Sequence, residues 1–456
     1  MDESRMPVSD YLAELSGHAR DVLGQNRAPG YPVSLAAAIE ISASRLDGED
    51  PAALSLLRLC AHLAPEPVPL AWFTATPLDG PLAAVVAAPM AFRRTLSRLA
   101  RLGLLRLTED TIQLHRLTQA VLRDLSTPGQ NSETRGQAEE LVANLADNGG
   151  GDPATWARWA ELLPHLLALD PADGGSSLRV ATNQAVWYLF ARGEYRAALP
   201  LAQSCHQRWL AALGHDDEDT LAAANNLAVV LWALGNYERA RALDEDTLAR
   251  RQRLLGDDDP DTLTSANNLA IRLWALGDYE RARALDEDTL ARRRRLLGDD
   301  HPDTLMSSSN LAIGLRQLGE VERARALDED TLVRSRRVLG DDHPDTLASA
   351  SNLAMDLLEL GEPEQARALD EDTLARYRRM LGDDHPDTLI TANNLAADLR
   401  ELGEVGRARA LDEDTLARRR RVLGDDHPDT LESADNLAAD LEALDGADPA
   451  PSGAPT

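Results

Sequence analysis

Lysine is absent from all 456 residues, so each of the 47 basic side chains is an arginine. This removes every Schiff-base lysine and every phosphate-holding lysine at once. Cysteine is nearly absent too: Cys60 and Cys205 lie far apart and neither belongs to a CxxC, which excludes a disulfide framework and leaves no zinc motif. A reducing, cytoplasmic setting is the economical expectation. No apolar run approaches the ~20 residues that span a bilayer, and the first thirty residues carry acids where a targeting signal would be apolar. Positive charge is short overall, because 76 acidic residues stand against 47 basic ones and leave a net charge of -29. General nucleic-acid or anionic-membrane binding begins with phosphate neutralisation by cations, so a basic or neutral partner is favoured.

What the chain has instead is repetition. Gly193, Gly235, Gly277, Gly319, Gly361 and Gly403 fall 42 residues apart without a slip, and the stretch 262–303, TLTSANNLAIRLWALGDYERARALDEDTLARRRRLLGDDHPD, recurs around them. A period of this length denotes a solenoid, in which each unit buries its apolar face only against its neighbours. Within a unit Leu263, Ala266, Leu269, Ala270, Leu273 and Leu276 step by three and four, the stripe of an amphipathic helix A. Gly277 and Asp278 turn the chain, and Tyr279, Ala282, Leu285, Thr289, Leu290 and Leu297 continue as helix B. Gly298 suits the left-handed position after a helix, Pro302 the first turn of the next, and Asp303 the positive end of its dipole. Each unit is predicted to be a helix hairpin.

Asn-Leu-Ala, then Leu-Gly-x-Tyr-x-x-Ala, then Leu-Gly-Asp-Asp-His-Pro-Asp-Thr-Leu resembles the tetratricopeptide repeat (TPR), in its 42-residue kinesin-light-chain variety, over 178–444. The resemblance implies a mainly α protein whose hairpins, six repeats and a final helix, wind into a right-handed superhelix with a concave groove. It departs in helix B, where Asp286 and Thr289 replace an aromatic residue and an alanine.

Upstream, 1–50 reads as a helical segment: a helix over 8–23, a loop with Pro29, Gly30 and Pro32, and a helix over 34–46. Residues 51–126 read as a winged-helix-like domain. Asp50-Pro51 opens an apolar helix, 92–102 forms a helix stopped by Gly103, 104–107 and 111–114 form a hairpin, and 115–125 is helical again. Helices over 132–146 and 153–169 make a helical linker, 127–177, before a degenerate first repeat, 178–219. The Pro, Ala and Gly of 445–456 read as a disordered tail.

DPAALSLLRLCAHLAPEPVPL, LSRLARLGLLRL and LHRLTQAVLRD resemble the winged-helix portion of NB-ARC type STAND NTPases, switch proteins that join a nucleotide-binding module to C-terminal sensor repeats. Leu114-His115-Arg116-Leu117 aligns with that family's Met-His-Asp motif, whose histidine reads bound ADP; Arg116 replaces the acid. The resemblance implies a nucleotide-sensing role for His115, vestigial or with a nucleotide-binding partner in trans. Without G-x-x-x-x-G-K-S/T or any lysine, the chain alone is expected to be no enzyme and to hold no cofactor. It is either the C-terminal part of a larger switch or a naturally short relative.

The repeats can be compared with one another. ARALDEDTL of helix B recurs five times unchanged, whereas helix A varies at Val229, Ile271, Ile313, Met355 and Ala397, and at Trp232, Trp274, Arg316, Leu358 and Arg400. These positions lie about a turn apart on the face that lines the groove in TPR proteins. Trp232 and Trp274 would make its N-terminal part an apolar anchor site, and Arg316 and Arg400 its later part charged. Asn226, Asn268, Asn310, Asn352, Asn394 and Asn436 form an unvarying row. Asparagine is poor inside helices, so its recurrence needs a hydrogen-bonding reason. In the TPR resemblance such amides hold the backbone of an extended peptide; alternatively each ties helix A to its neighbouring repeat.

Other signals read blandly. The arginine runs 292–295 and 418–421 point four ways around a helix and form i, i+4 pairs with acids. His301, His343, His385 and His427 recur once per repeat, too far apart to share a metal, and read as loop or cap residues. The expected function is a non-enzymatic scaffold or sensor that binds a peptide or protein in the groove, as the sensor part of a STAND-type switch. Two alternatives are a DNA-binding regulator using the winged helix through Arg94, Arg98 and Arg101, although Glu109 and Asp110 would face phosphate, and an ATPase switch completed by a separate NB-ARC chain.

Overall fold

The computed structural model describes residues 34–146 and 149–447. The helix expected over 8–23 with its loop, and the tail from 448, lie outside the described residues. The described residues form two compact units, divided after Tyr188. The division falls inside helix A of the first repeat, not at 177.

The first unit is built on one buried helix. Ser34 caps α1 (Leu35–Glu49) by accepting from the Ala37 N–H, and Asp50 caps α2 (Pro51–Cys60) by accepting from the Ala53 N–H at 3.1 Å. Leu54, Leu56, Leu57 and Leu59 leave α2 without an exposed apolar face. Gln119 of α6 (Arg116–Leu125) donates to the Cys60 and Leu63 carbonyls, 3.0 Å each, and closes the end of α2. Between them run α3 (Leu70–Ala75), α4 (Gly80–Val86) and α5 (Pro89–Arg101). The predicted hairpin, β2 (Arg106–Leu107) and β3 (Thr111–Gln113), is joined by a third strand, β1 (Val68–Pro69), in the order β1-β3-β2. Strand β1 escapes sequence reading because it is two residues long and contains a proline. Helices α7 (Pro128–Leu145), started by a Thr127/Gln130 capping box, and α8 (Trp156–Ala168) complete the unit. Cys60 and Cys205 are buried and form no disulfide, and burial pushes the Cys60 thiol up to about 12.

From α9 (Ser176–Ala191) onward the chain is hairpins: α9 with α10 (Tyr195–Leu213), α11 (Glu218–Ala233) with α12 (Tyr237–Leu255), α13 (Pro260–Ala275) with α14 (Tyr279–Leu297) and α15 (Pro302–Gln317) with α16 (Val321–Val338). Then follow α17 (Pro344–Glu359) with α18 (Pro363–Leu381), α19 (Pro386–Glu401) with α20 (Val405–Val422), and the single helix α21 (Pro428–Ala447). The expected α-solenoid is present. Gly277, at φ 83°, turns α13 into α14 in a Schellman arrangement, with the Asp278 N–H donating to the Leu273 carbonyl. The His-Pro-Asp motif is an N-cap: His301 Nδ1 accepts from the Asp303 N–H at 3.2 Å, and His343, His385 and His427 repeat the bond.

Two of these caps also close the solenoid on itself. His385 Nε2 lies 2.6 Å from the Ala191 carbonyl and His427 Nε2 2.8 Å from that of Ala233, five hairpins back. Since Nδ1 accepts a backbone N–H, the proton sits on Nε2, which donates across the seam. The turn glycines beneath are needed there, because a Cβ on Gly193 would run into the Pro386 ring and one on Gly235 would stand 3.2 Å from Pro428. His385 and His427 side chains are 6% and 8% exposed, against 41% and 37% for His301 and His343, which meet no second turn. Replacing His385 and His427 together by alanine is expected to enlarge the radius of gyration in X-ray scattering. His301→Ala with His343→Ala should lose only caps, ~1 kcal/mol each, and keep the radius. Equal radii for the two double variants would contradict the seam.

Candidate functional site

Most of the varied positions of helix A do not face the groove. Trp274 is 5% exposed in a cluster with Leu248, Leu269 and Leu273. Its Nε1–H donates to Asp286 Oδ2 at 2.6 Å, and its ring covers Gly314 of the next hairpin so closely that no Cβ fits there. Trp232 is half-buried, 4.3 Å from the Tyr237 ring, with the Arg272 guanidinium 4.7 Å above it. Arg316 is 7% exposed and donates to Asp356 at 2.9 Å; Arg400 donates to Asp412 at 2.6 Å and Asp440 at 3.3 Å. The expected gradient from an aromatic anchor site to a charged end is therefore corrected. Each of these side chains meets a residue 40 positions on, and Trp274 and Arg400 also bond the helix-B acid 12 positions on.

That explains the departure in helix B. Asp244, Asp286, Asp328, Asp370 and Asp412 are fully buried, one per junction. Arg272 reaches Asp244 at 3.2 Å, but burial still dominates and pushes its carboxyl up to about 6. Asp286, with only the Trp274 N–H, is pushed by burial to about 7. At the junction of α18 and α19, Leu358 stands at the register of the arginine. Asp370 accepts from Ser351 Oγ at 3.2 Å and is raised by burial and by the Asp398 carboxylate, while burial takes Asp398 to about 7.

The asparagine row divides. Asn268 donates to Asn225 Oδ1 at 2.9 Å, Asn394 to Ser351 Oγ at 3.2 Å and Asn436 to Asn393 Oδ1 at 2.9 Å, each tying helix A to the preceding repeat. Asn226 sits half-buried at the same register of α11. The ladder is broken at two rungs. The partner position for Asn310 is Asn267, whose Oδ1 lies 3.4 Å from the Ser307 hydroxyl, and for Asn352 it is Ser309, which turns to Ser349. Asn310 Nδ2 is left buried without a hydrogen-bond partner.

Where the ladder breaks, a cavity of about 320 Å³ opens on helix A of α15, α17 and α19. Met306, Ile313, Met355 and Ile390 give it apolar walls, Asn310, Asn352 and Asn394 supply amides, and Asp345 and Asp387 its carboxylates. Met306 and Ile390 are 39% and 43% exposed. The cavity exists because one side chain is small. Arg251, Arg293 and Arg419 of helix B are buried, each donating to the main-chain carbonyl of an aspartate and to a serine hydroxyl of the following helix A; for Arg293 these are Asp303 and Ser307, 2.9 Å each. At the same register α16 has Ser335, and in α18 Tyr377 turns its hydroxyl to the Pro344 carbonyl at 3.0 Å. Both line the cavity.

Sequence reasoning passes over Met306, Ile390, Ser335 and Tyr377. The signal is one letter, Ser335 in TLVRSRR against Arg293 in TLARRRR, and its meaning depends on knowing that this arginine points inward. The remaining arginines of those runs make a ladder on the outside: Arg292 pairs with Asp288 at 2.7 Å and Asp258 at 2.8 Å, Arg334 with Asp330 and Asp300. His115 is exposed and caps α6, its Nδ1 accepting from the Leu117 N–H at 3.2 Å. Among the described residues no group of three or more His, Cys, Asp and Glu could hold a metal ion, and no helix is long and apolar enough to cross a membrane.

Tetratricopeptide-repeat family models match residues 176–253, 219–295, 273–332 and 307–379, and a further one matches 388–429. No curated protein matches the sequence. Similar solved structures include a Podosopora anserina putative kinesin light chain with nearly identical TPR-like repeats, 28% identical, spanning 44% of this chain and 95% of that one, TM-score 0.36. Others are a STAND protein with a tetratricopeptide repeat sensor from Pyrococcus horikoshii, 14% identical over 97% and 68%, TM-score 0.44, and NprR in complex with its cognate peptide NprX, 12% identical over 67% and 86%, TM-score 0.46.

Proposed function

Because this chain belongs to the tetratricopeptide-repeat family, we propose that it is a protein-interaction scaffold which binds an extended segment of a partner in the cavity of α15, α17 and α19. One observation carries the reading. Asn310 buries an amide donor with no partner, a state that costs ~1–3 kcal/mol, while three other asparagines of the row find a neighbour in the preceding repeat. Asn310 lines the cavity, so its amide can turn to meet a peptide carbonyl there, and the apolar walls take the adjoining side chain. No catalytic grouping enters this reading.

The row provides its own control. Asn310→Ala with Asn352→Ala is expected to leave the melting temperature unchanged and to abolish partner capture from the source cell by the full chain. Asn268→Ala with Asn436→Ala should lower the melting temperature by breaking two inter-repeat bonds, ~1 kcal/mol each, and spare capture below that temperature. Capture that survives the first pair would move the site elsewhere.

The same reading gives the first unit its place as part of a STAND-type switch. Support comes from the order of α2, β1, α4, α5 and the β2–β3 hairpin in a three-stranded sheet, and from His115 at the head of α6. A nucleotide-binding partner would act in trans. DNA binding is favoured by a different observation: α5 carries no acid, and among the described residues Arg93 and Arg94 make no ion pair, whereas Arg98 pairs with Glu49 and Asp50. Salt-sensitive retention of duplex DNA by the full chain, lost in Arg93→Ala with Arg94→Ala, would establish that reading; no retention at low salt removes it.

A further inference from the structure

Three of the repeats fill one inward position with their own arginine, α18 fills it with Tyr377, and α16 has only Ser335 there. In α12, α14 and α20 a guanidinium enters the junction from helix B and meets the carbonyl of the second residue of the next helix A and the hydroxyl four residues on. In α16 the corresponding residue is Ser335, and the acceptors at that register belong to Asp345 and Ser349. The Ser349 hydroxyl has turned back to the Asp345 carbonyl at 2.9 Å, as it does where no guanidinium is present to bind both. All three residues line the cavity with Asp387, and no cation lines it. Asp345 and Asp387 both set their carboxyl groups at this wall, and burial, then these two groups, push the neighbouring Tyr377 hydroxyl up.

We propose that the cavity takes an arginine side chain from the partner segment, the incoming guanidinium occupying the place that Arg251, Arg293 and Arg419 fill in their own repeats. This rests on the groove reading above and names its ligand. The partner is an extended peptide with arginine next to an aliphatic residue. The guanidinium enters beside Ser335, against Asp345 and Asp387, and the aliphatic neighbour lies on Met306, Ile313, Met355 and Ile390. Methionine side chains adapt to the shape that arrives. A planar guanidinium presents five donors in a fixed fork, and the chain itself shows three times how this register satisfies it. The cavity lies at the small end of the ~300–1,000 Å³ span of ligand sites, right for one or two side chains. The acidity of the whole chain favours the same sign of partner.

The test uses the full chain and an array of nonapeptides of Gly and Ser carrying a central Arg-Leu, Lys-Leu, citrulline-Leu or Glu-Leu pair. Retention of Arg-Leu peptides at least tenfold above the citrulline and glutamate series is expected. Ser335→Arg restores the residue of the sibling repeats, so it should fold with an equal or higher melting temperature and lose the Arg-Leu peptides tenfold or more. Asp345→Asn should weaken them several-fold, while Asp303→Asn, the same helix position outside the cavity, should not. Met306→Glu, a residue the solenoid already carries at Glu432, should also abolish retention. If Glu-Leu peptides are retained and lost in Met306→Glu but not in Ser335→Arg, the arginine assignment is overturned and the groove reading stands. If no peptide responds to Met306→Glu, both fall.

Discussion

The melting temperature is expected to fall as pH rises from about 5 to 8, by an amount set by the buried helix-B acids and their neighbours. Asp286 and Asp398 are pushed from 3.8 to about 7, and Asp244 and Asp412 to about 6, in each case chiefly by burial. Between those values the folded state keeps a proton that the unfolded state has lost, so stability declines with rising pH across that window. At about 1.36 kcal/mol per pKa unit, a full shift of about three units is worth ~4 kcal/mol per acid as an upper bound. The exposed acids act elsewhere. Asp258 and Asp300 are held below the usual carboxylate range by hydrogen bonds from their arginines, so their contribution is present above pH ~4 and is lost only below it. Self-repulsion of an acidic chain also grows with pH, and a control separates the two. Asp398→Asn with Asp286→Asn should flatten the profile and raise stability at pH 8. Asp288→Asn with Asp330→Asn, which removes an equal charge from the surface, should not flatten it. A wild-type profile that is level from pH 5 to 8 would contradict the account.

Trp274→Ala should be among the most damaging single substitutions in the solenoid. Deleting a buried tryptophan costs about 3–5 kcal/mol through the cavity it leaves. Here it also removes the only hydrogen bond found for the Asp286 carboxyl, whose Oδ1 is already without a partner, for a further ~1–3 kcal/mol. Gly314→Ala should be destabilising as well, though less so, since its Cβ would enter the indole ring and overpacking costs about 1–3 kcal/mol. The two defects are complementary in shape. Trp274→Leu combined with Gly314→Ala should therefore be less destabilised in urea than the sum of the single variants, whereas strict additivity would show that the two residues do not share a junction.

The hairpins, their turns and their caps were legible because each is specified locally. Gly277 needs a positive φ, Pro302 tolerates a helix start, and Leu263 to Leu276 repeat at helical spacing. The partners of the varied residues were not legible from the columns read one at a time. Trp274 and Arg316 look like ligand-facing differences until each is set beside Gly314 and Asp356, 40 positions on. The covariation is then one of shape with space and cation with acid. Identical helix-B segments hide the same fact, because a buried Asp286 looks like a surface acid in ARALDEDTL. The asparagine row illustrates the limit: Asn268 and Asn310 are each followed by Leu-Ala-Ile and each has an asparagine at the partner position of the preceding repeat, yet Asn225 ties the first amide while Asn267 is met by Ser307 and leaves the second spare.

The central claim is that ligand contact is confined to the concave cavity of α15, α17 and α19, while the varied tryptophans and arginines serve the stack. The most direct measurement places p-benzoylphenylalanine in place of Met306 or, as a control, of Val333, which is 66% exposed on α16 outside the cavity lining. Each full chain is irradiated with an Arg-Leu nonapeptide and the adducts are located by mass spectrometry. Adducts from position 306 that disappear when Ser335→Arg is added, with none from position 333, are the predicted result. Equal adducts from both positions, or adducts at 306 that survive Ser335→Arg, would contradict the claim.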